Sequence, residues 1–190
     1  MPHVVDFDSV EQKLFNLQHL CYGSRSACEH YRIYRESEAT ADYHWYEYAG
    51  ILKTIVSTTM IEAAIKLRMV QDFSRAEMGE EDALDWERIE QEAVAGLAIG
   101  ALTGNADTLS LRESCNKIVH ATEARLKWDV VPHGDGLVEC WSGVYQLWGS
   151  KRLVPWQVDI NVPDWCNAMI RLNKSVQVNI DWHRVYKNDE

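Results

Sequence analysis

A mainly helical α+β domain is predicted, a bundle of about four long helices with a small antiparallel sheet inserted before a C-terminal helix. Three observations carry this. Apolar residues recur every three or four positions through most of the first 120 residues, the spacing of one helix face. The period then falls to two, with Trp156, Val158, Ile160 and Val162 alternating with Gln157, Asp159 and Asn161, which marks a half-buried strand. Pro163-Asp164 then opens a last helical stretch, proline being tolerated in a first turn. At 190 residues the chain is long enough for one domain with its own core. It divides into a helical bundle over 1–122, a sheet over 123–162 and a C-terminal helix with a tail over 163–190.

The first helix is expected over 8–36, with Ser9 and Gln12 as a capping box. A seven-residue repeat runs behind it. Phe7, Leu14, Cys21 and Cys28 form one line; Val10, Leu17, Ser24 and Tyr31 form the other. That is a helix–helix seam, and Gly23, Ser24 and Ala27 leave room for a neighbour. A second helix over 40–73 carries Trp45, Tyr48, Leu52, Ile55, Val56, Met60, Ala63, Leu67 and Val70 at helical spacing. Ile51, Ile61 and Ile65 widen that face, so the helix is expected to be central. An acidic connection over 74–85 follows. A third helix is expected over 86–102, with Gly96, Gly100 and Gly104 marking close backbone packing. A fourth starts at Ser110, whose hydroxyl and Glu113 make a capping box, and runs to about Thr122.

In the sheet, strands are expected over 124–131, 141–148 and 156–162. His133-Gly134-Asp135-Gly136 is a loop, and a turn is placed near Gly149-Ser150-Lys151-Arg152. Trp156 shares parity with Val158 and Ile160 and is expected to face the core. Trp141 and Trp148 have opposite parity, so one of them is expected at the surface. The tail Val176, Val178, Ile180, Trp182 alternates again and suits a terminal strand.

The formal charge is −10, which argues against a broad, non-specific nucleic-acid surface but leaves room for a small basic pocket. The five cysteines include no Cys-x-x-Cys pair, so buried thiols are expected rather than a disulfide framework or zinc site. Neither a metal nor another cofactor is expected. Met1-Pro2-His3-Val4-Val5-Asp6 lacks the pattern of a secretory signal and no apolar run is long enough for a bilayer. A cytoplasmic chain without membrane contact is therefore expected.

The candidate site lies on the fourth helix. Arg112, Asn116 and His120 stand four residues apart beside a core stripe of Leu111, Cys115, Ile118 and Thr122, and Glu123 continues their line. Histidine is the side chain suited to proton exchange near neutral pH. Arginine pairs with a phosphate through two hydrogen bonds and steadies developing charge. Asn116 orients the imidazole or a hydroxyl, and Glu123 is placed to hold the second ring nitrogen of His120. Such a set can activate a ribose 2′-OH against its neighbouring phosphate and cleave RNA without a metal.

The segment Asn116-Lys117-Ile118-Val119-His120 resembles the signature of the HEPN superfamily (higher eukaryotes and prokaryotes nucleotide-binding). Its motif is an arginine, then a polar residue, then a histidine after four to six intervening positions. Cys115 stands at the arginine position here, and Arg112 lies one turn earlier on the same side as Asn116. The resemblance covers about 110–121. It implies a small helical bundle and a metal-independent ribonuclease of a toxin–antitoxin or anti-phage defence system. It also implies a homodimer with facing motifs, RNA as substrate, and a partner protein such as an antitoxin or defence component. The alternative is a catalytically silent interaction module that keeps the helix and binds a protein through its acidic surface and Trp-rich sheet.

Overall fold

A computed structural model describes residues 6–34, 44–77, 85–103 and 109–179, with side chains of the second segment described to Asp72. Among the described residues five helices and four strands follow one another. They are α1 (Phe7–Tyr31), α2 (Trp45–Glu77), α3 (Trp86–Val94), β1 (Gly100–Leu102), α4 (Leu111–His120), β2 (Glu123–His133), β3 (Gly136–Lys151), β4 (Val154–Asn161) and α5 (Val162–Asn179). The strands form one antiparallel sheet in the order β1-β4-β3-β2. Helices and sheet share one main core, in which Leu14 and Leu17 of α1, Val56 and Met60 of α2, Leu111 and Cys115 of α4, Val158 and Ile160 of β4, and Trp165 and Leu172 of α5 are sealed from solvent. The mixed helical and antiparallel architecture is as expected. Its helices are uneven, however: α3 and α4 have only 9 and 10 residues.

Helix α1 begins earlier than its sequence suggests. Asp6, not Ser9, is the N-cap, and its carboxylate accepts the Ser9 N–H at 3.0 Å. It also ends earlier. Arg32 adopts a left-handed conformation, and Ile33 N–H returns to Cys28 C=O at 2.9 Å. Ile33 is then buried against Cys28, Val138 and Cys140, the apolar contact that locks such a helix end. The heptad seam holds from Val10 to Cys28, where Val10, Leu14, Leu17, Cys21, Ser24 and Cys28 are buried and packed on α5 and β3, while Tyr31 at its end is exposed. Ser24 earns its place there, because its hydroxyl accepts the backbone N–H of Trp141 at 2.9 Å. Gly23 has no such role, since nothing lies within 4 Å of where its Cβ would stand.

The third expected helix is cut short. It stops at Val94 because Gly96 takes φ +73°, and the chain then enters β1 beside β4. Gly100 is required there: a Cβ would sit 2.5 Å from the Asp159 carbonyl oxygen. The glycine spacing therefore serves a turn and a strand contact rather than helix packing, and Gly104 lies outside the described residues. The tail also differs. Val176 and Val178 lie within α5, while Ile180 and Trp182 lie outside the described residues.

The turn between β3 and β4 falls at Arg152-Leu153, three residues beyond Gly149. Gly149 instead lies within β3 opposite Trp156, where a Cβ would collide with the indole. Arg152 and Leu153 both have positive φ, +51° and +68°, the geometry of a two-residue hairpin turn that favours Asn-Gly. Leucine is strained there and its side chain is 96% exposed, so nothing compensates the strain. The double change Arg152→Asn, Leu153→Gly is expected to raise stability by about 1–2 kcal/mol, read as a higher urea midpoint. An unchanged or lower midpoint would contradict this reading of the turn.

Strand β3 changes its inward parity between Cys140 and Trp141. The pairing with β2 shifts between Leu126 and Trp128, and Gly143 supplies φ +82° within the irregularity. Trp141 is consequently buried, and Trp128, Trp148 and Trp156 are half-buried. No tryptophan of the sheet stands free at the surface, contrary to the expectation from Trp141 and Trp148.

Candidate functional site

Helix α4 is set by local chemistry. Ser110 caps it, accepting the Glu113 N–H at 3.1 Å, and Leu111, Ser114, Cys115, Lys117 and Ile118 turn inward. The buried Ser114 hydroxyl donates to the Leu111 carbonyl at 2.6 Å and accepts the Trp165 indole N–H at 2.9 Å. This pins α4 to α5. The helix ends at His120 as Ala121 becomes extended, and Thr122 leaves the core stripe to join the sheet through Trp148.

The polar stripe is divided by this packing. Arg112 turns toward α2: one guanidinium nitrogen donates to Gln71 Oε1 at 2.8 Å and another lies 3.6 Å from Asp72. Its backbone N–H is taken by the Glu90 carboxylate. Arg112 thus ties α4 to α2 and α3. Asn116 accepts from Arg68 of α2 and donates to Glu113 at 3.5 Å. Arg68 also lies 3.9 Å from Asp72, so both arginines flank one carboxylate. The Arg68 Nε–H is buried with no hydrogen-bond partner among the described residues.

His120 is exposed and has no hydrogen-bond partner among the described residues. It stands in a groove of about 380 Å³ together with Glu113, Asn116, Lys117, Ser150, Lys151 and Trp156. Lys117 bridges its walls: its ammonium is 3.3 Å from Glu113 and 4.3 Å above the Trp156 ring. Gly149 leaves the space in which that indole lies. The charged groups lining the groove are two lysines, Lys117 and Lys151, and one acid, Glu113. Trp156 forms its wall and is not a free stacking face, since Lys117 covers it.

The structure brings Asn116 and His120 together in one groove but does not place Arg112 there. Glu123 does not hold His120. Once the helix breaks at Ala121, Glu123 becomes the first residue of β2 and pairs with Arg125 at 2.7 Å. Arg68 was missed by sequence reasoning because it lies 48 residues from Asn116; its local pattern, Asp72 at i+4, is that of any surface helix pair. Lys151 and Trp156 reach the groove through strand pairing, which the sequence hides.

Cys115 is sealed in the core, and burial pushes its thiol up to about 12. Cys21 is raised by burial to about 12 as well, and all five cysteines are free and buried. The Cys21 and Cys115 thiols keep their protons in the folded state well above pH 9. Above the ordinary value of 9.0 the unfolded chain sheds protons that the folded chain retains, so stability present below pH 9 is lost as pH rises toward 12. The unfolding free energy is expected to fall from about pH 9 upward at a slope of roughly 1.4 kcal/mol per pH unit for each sealed thiol, lowering the urea midpoint with it. A midpoint that stays flat to pH 11 would contradict thiol burial.

Among the described residues no helix is long and apolar enough to cross a membrane. Comparison with protein-family models, curated proteins and solved structures finds no match to this chain.

Proposed function

We propose that the chain is a HEPN-like, metal-independent RNA endonuclease of a toxin or anti-phage defence type, with its site in the groove beside α4. The observation that supports this best is His120 exposed at a basic groove, with Asn116 beside it held by a guanidinium. In this reading His120 takes the proton from a ribose 2′-OH or returns one to the leaving 5′-oxygen. The 2′-oxygen attacks the adjacent phosphorus, the P–O5′ bond breaks, and a 2′,3′-cyclic phosphate and a 5′-hydroxyl remain. Lys117 and Lys151 in the groove, with Arg68 behind Asn116, supply positive charge for the phosphate that the residue at Cys115 lacks. Arg112 is a positioning residue, holding Asp72 against Arg68. A homodimer, a cytoplasmic location and an antitoxin or defence component as protein partner belong to the same reading.

Mixed RNA incubated in EDTA with wild type, Arg68→Ala and Arg112→Ala tests it. Arg68→Ala is expected to reduce cleavage roughly 10²–10³-fold. Arg112→Ala is expected to lose less than about tenfold but to lower stability by about 1–2 kcal/mol. Intact RNA with wild type would contradict the proposal, and the reverse order of the two variants would contradict the roles.

A silent interaction module is the second reading. It is favoured by Cys115 at the motif's arginine position, sealed in the core, and by the commitment of Arg112 to Gln71 and Asp72. It expects Asn116→Ala to lower stability while wild type cleaves no RNA.

A further inference from the structure

Helix α2 was expected to be central, yet only one side of it is packed. Leu52, Val56, Met60, Ala63, Leu67 and Val70 are buried. On the opposite side Ile51, Ile55, Ile61 and Ile65 are 50%, 40%, 40% and 42% exposed. At 100° per residue these four and Thr58 fall within an arc of about 120°. A run of half-exposed isoleucines on an acidic chain is an unusual surface, since soluble monomers rarely leave a contiguous apolar patch bare. No described element covers it.

The order of the stripe identifies its occupant. Ile51, Ile55, Thr58, Ile61 and Ile65 read the same in both directions about Thr58. Two antiparallel copies crossing at Thr58 would set Ile51 against the partner's Ile65 and Ile55 against the partner's Ile61, repeated by symmetry. Such an isologous contact needs a self-complementary patch, and this stripe is one. Its charge pattern agrees. Glu62 lies on the same side, but its carboxylate already pairs with Lys13 and with Lys66 at 2.9 Å in its own chain. Those two cations hold it below the usual carboxylate range, so the one carboxylate between the isoleucines already has its counter-charges when the seam closes.

We propose that α2 pairs with α2 of a second copy, antiparallel about Thr58, through the four isoleucines. The consequence differs from facing motifs. Arg68 lies about 15 Å along the helix from Thr58, so the two Arg68 residues stand about 30 Å apart along the paired axis. Each Asn116 then receives its guanidinium from its own chain. The proposal shares with the preceding section only the expectation of a homodimer, and it is read by mass rather than RNA cleavage, so the two can fail separately.

Light scattering at micromolar concentration is expected to give twice the chain mass of 21.9 kDa. Ile61→Lys is expected to return the single-chain mass with its helical circular dichroism kept. Orientation is read with a short bismaleimide, because all five native cysteines are buried. Thr58→Cys should link to itself, and Ile51→Cys should link to Ile65→Cys but not to itself. A wild-type monomer would overturn the proposal and assign the stripe to another segment or protein. A dimer untouched by Ile61→Lys, or self-linking of Ile51→Cys, would overturn it equally. Should Ile61→Lys fail to fold, the crosslinking pattern decides.

Discussion

Alanine at His120 is expected to lower RNA cleavage by about 10²–10⁴-fold, the usual share of a positioned acid–base group, with little change in stability. The expectation follows from its surroundings. The ring is exposed, lines the groove with Asn116 and Lys117, and has no hydrogen-bond partner among the described residues. Removing it therefore leaves no buried group unpaired, which is where large stability losses originate. Circular dichroism and a urea midpoint within about 0.5 kcal/mol of wild type should accompany the lost activity. Cleavage retained within a few-fold would remove His120 from the chemistry.

Alanine at Trp165 is expected to destabilise the fold by about 3–5 kcal/mol, the largest single loss anticipated here. Its indole is fully buried between α4, α5 and the sheet, and its N–H is satisfied by Ser114 at 2.9 Å. Truncation opens a cavity, removes a donor from a sealed hydroxyl and frees the helix that carries Asn116 and His120. Trp165→Phe keeps most of the packing and should cost less, chiefly the lost hydrogen bond of about 1 kcal/mol. Urea unfolding of both variants measures the pair. A loss below about 1 kcal/mol for Trp165→Ala would mean that α4 is held by something other than this seam.

Much of the fold was legible because local rules and tertiary packing agree. The Ser110 cap and the apolar line of Leu111, Cys115 and Ile118 place α4 within a residue or two. The alternation of Trp156 to Ile160 marks β4 directly. Misreadings occur where one residue pattern serves two structures. Glycines every four residues fit close helix packing, yet Gly96 turns the chain and Gly100 admits the Asp159 carbonyl. Four isoleucines on α2 look like a wider core face, yet they are half-exposed, because apolarity alone does not distinguish a core face from an exposed one. The α1 heptads were correct as a seam but silent on its partners, which are α5 and β3.

The site was half legible for a related reason. Asn116 and His120 are four residues apart on one helix, so helical geometry alone brings them together. Arg112 obeys the same spacing but is drawn away by Gln71, 41 residues distant in sequence, and by the adjacent Asp72. Arg68, the cation that does reach Asn116, comes from another helix. Glu123 follows the helical line only on paper, because the helix ends before it. A charged side chain goes to the nearest complementary group in space, and a periodicity argument sees only its own element.

The most direct measurement is analysis of the RNA ends left by wild type in EDTA. A 2′,3′-cyclic phosphate on one fragment and a 5′-hydroxyl on the other are expected, produced by wild type and not by His120→Ala. Cleavage that stops in EDTA, fragments bearing 5′-phosphates, or RNA left intact by the wild-type protein would contradict metal-independent transesterification at this groove.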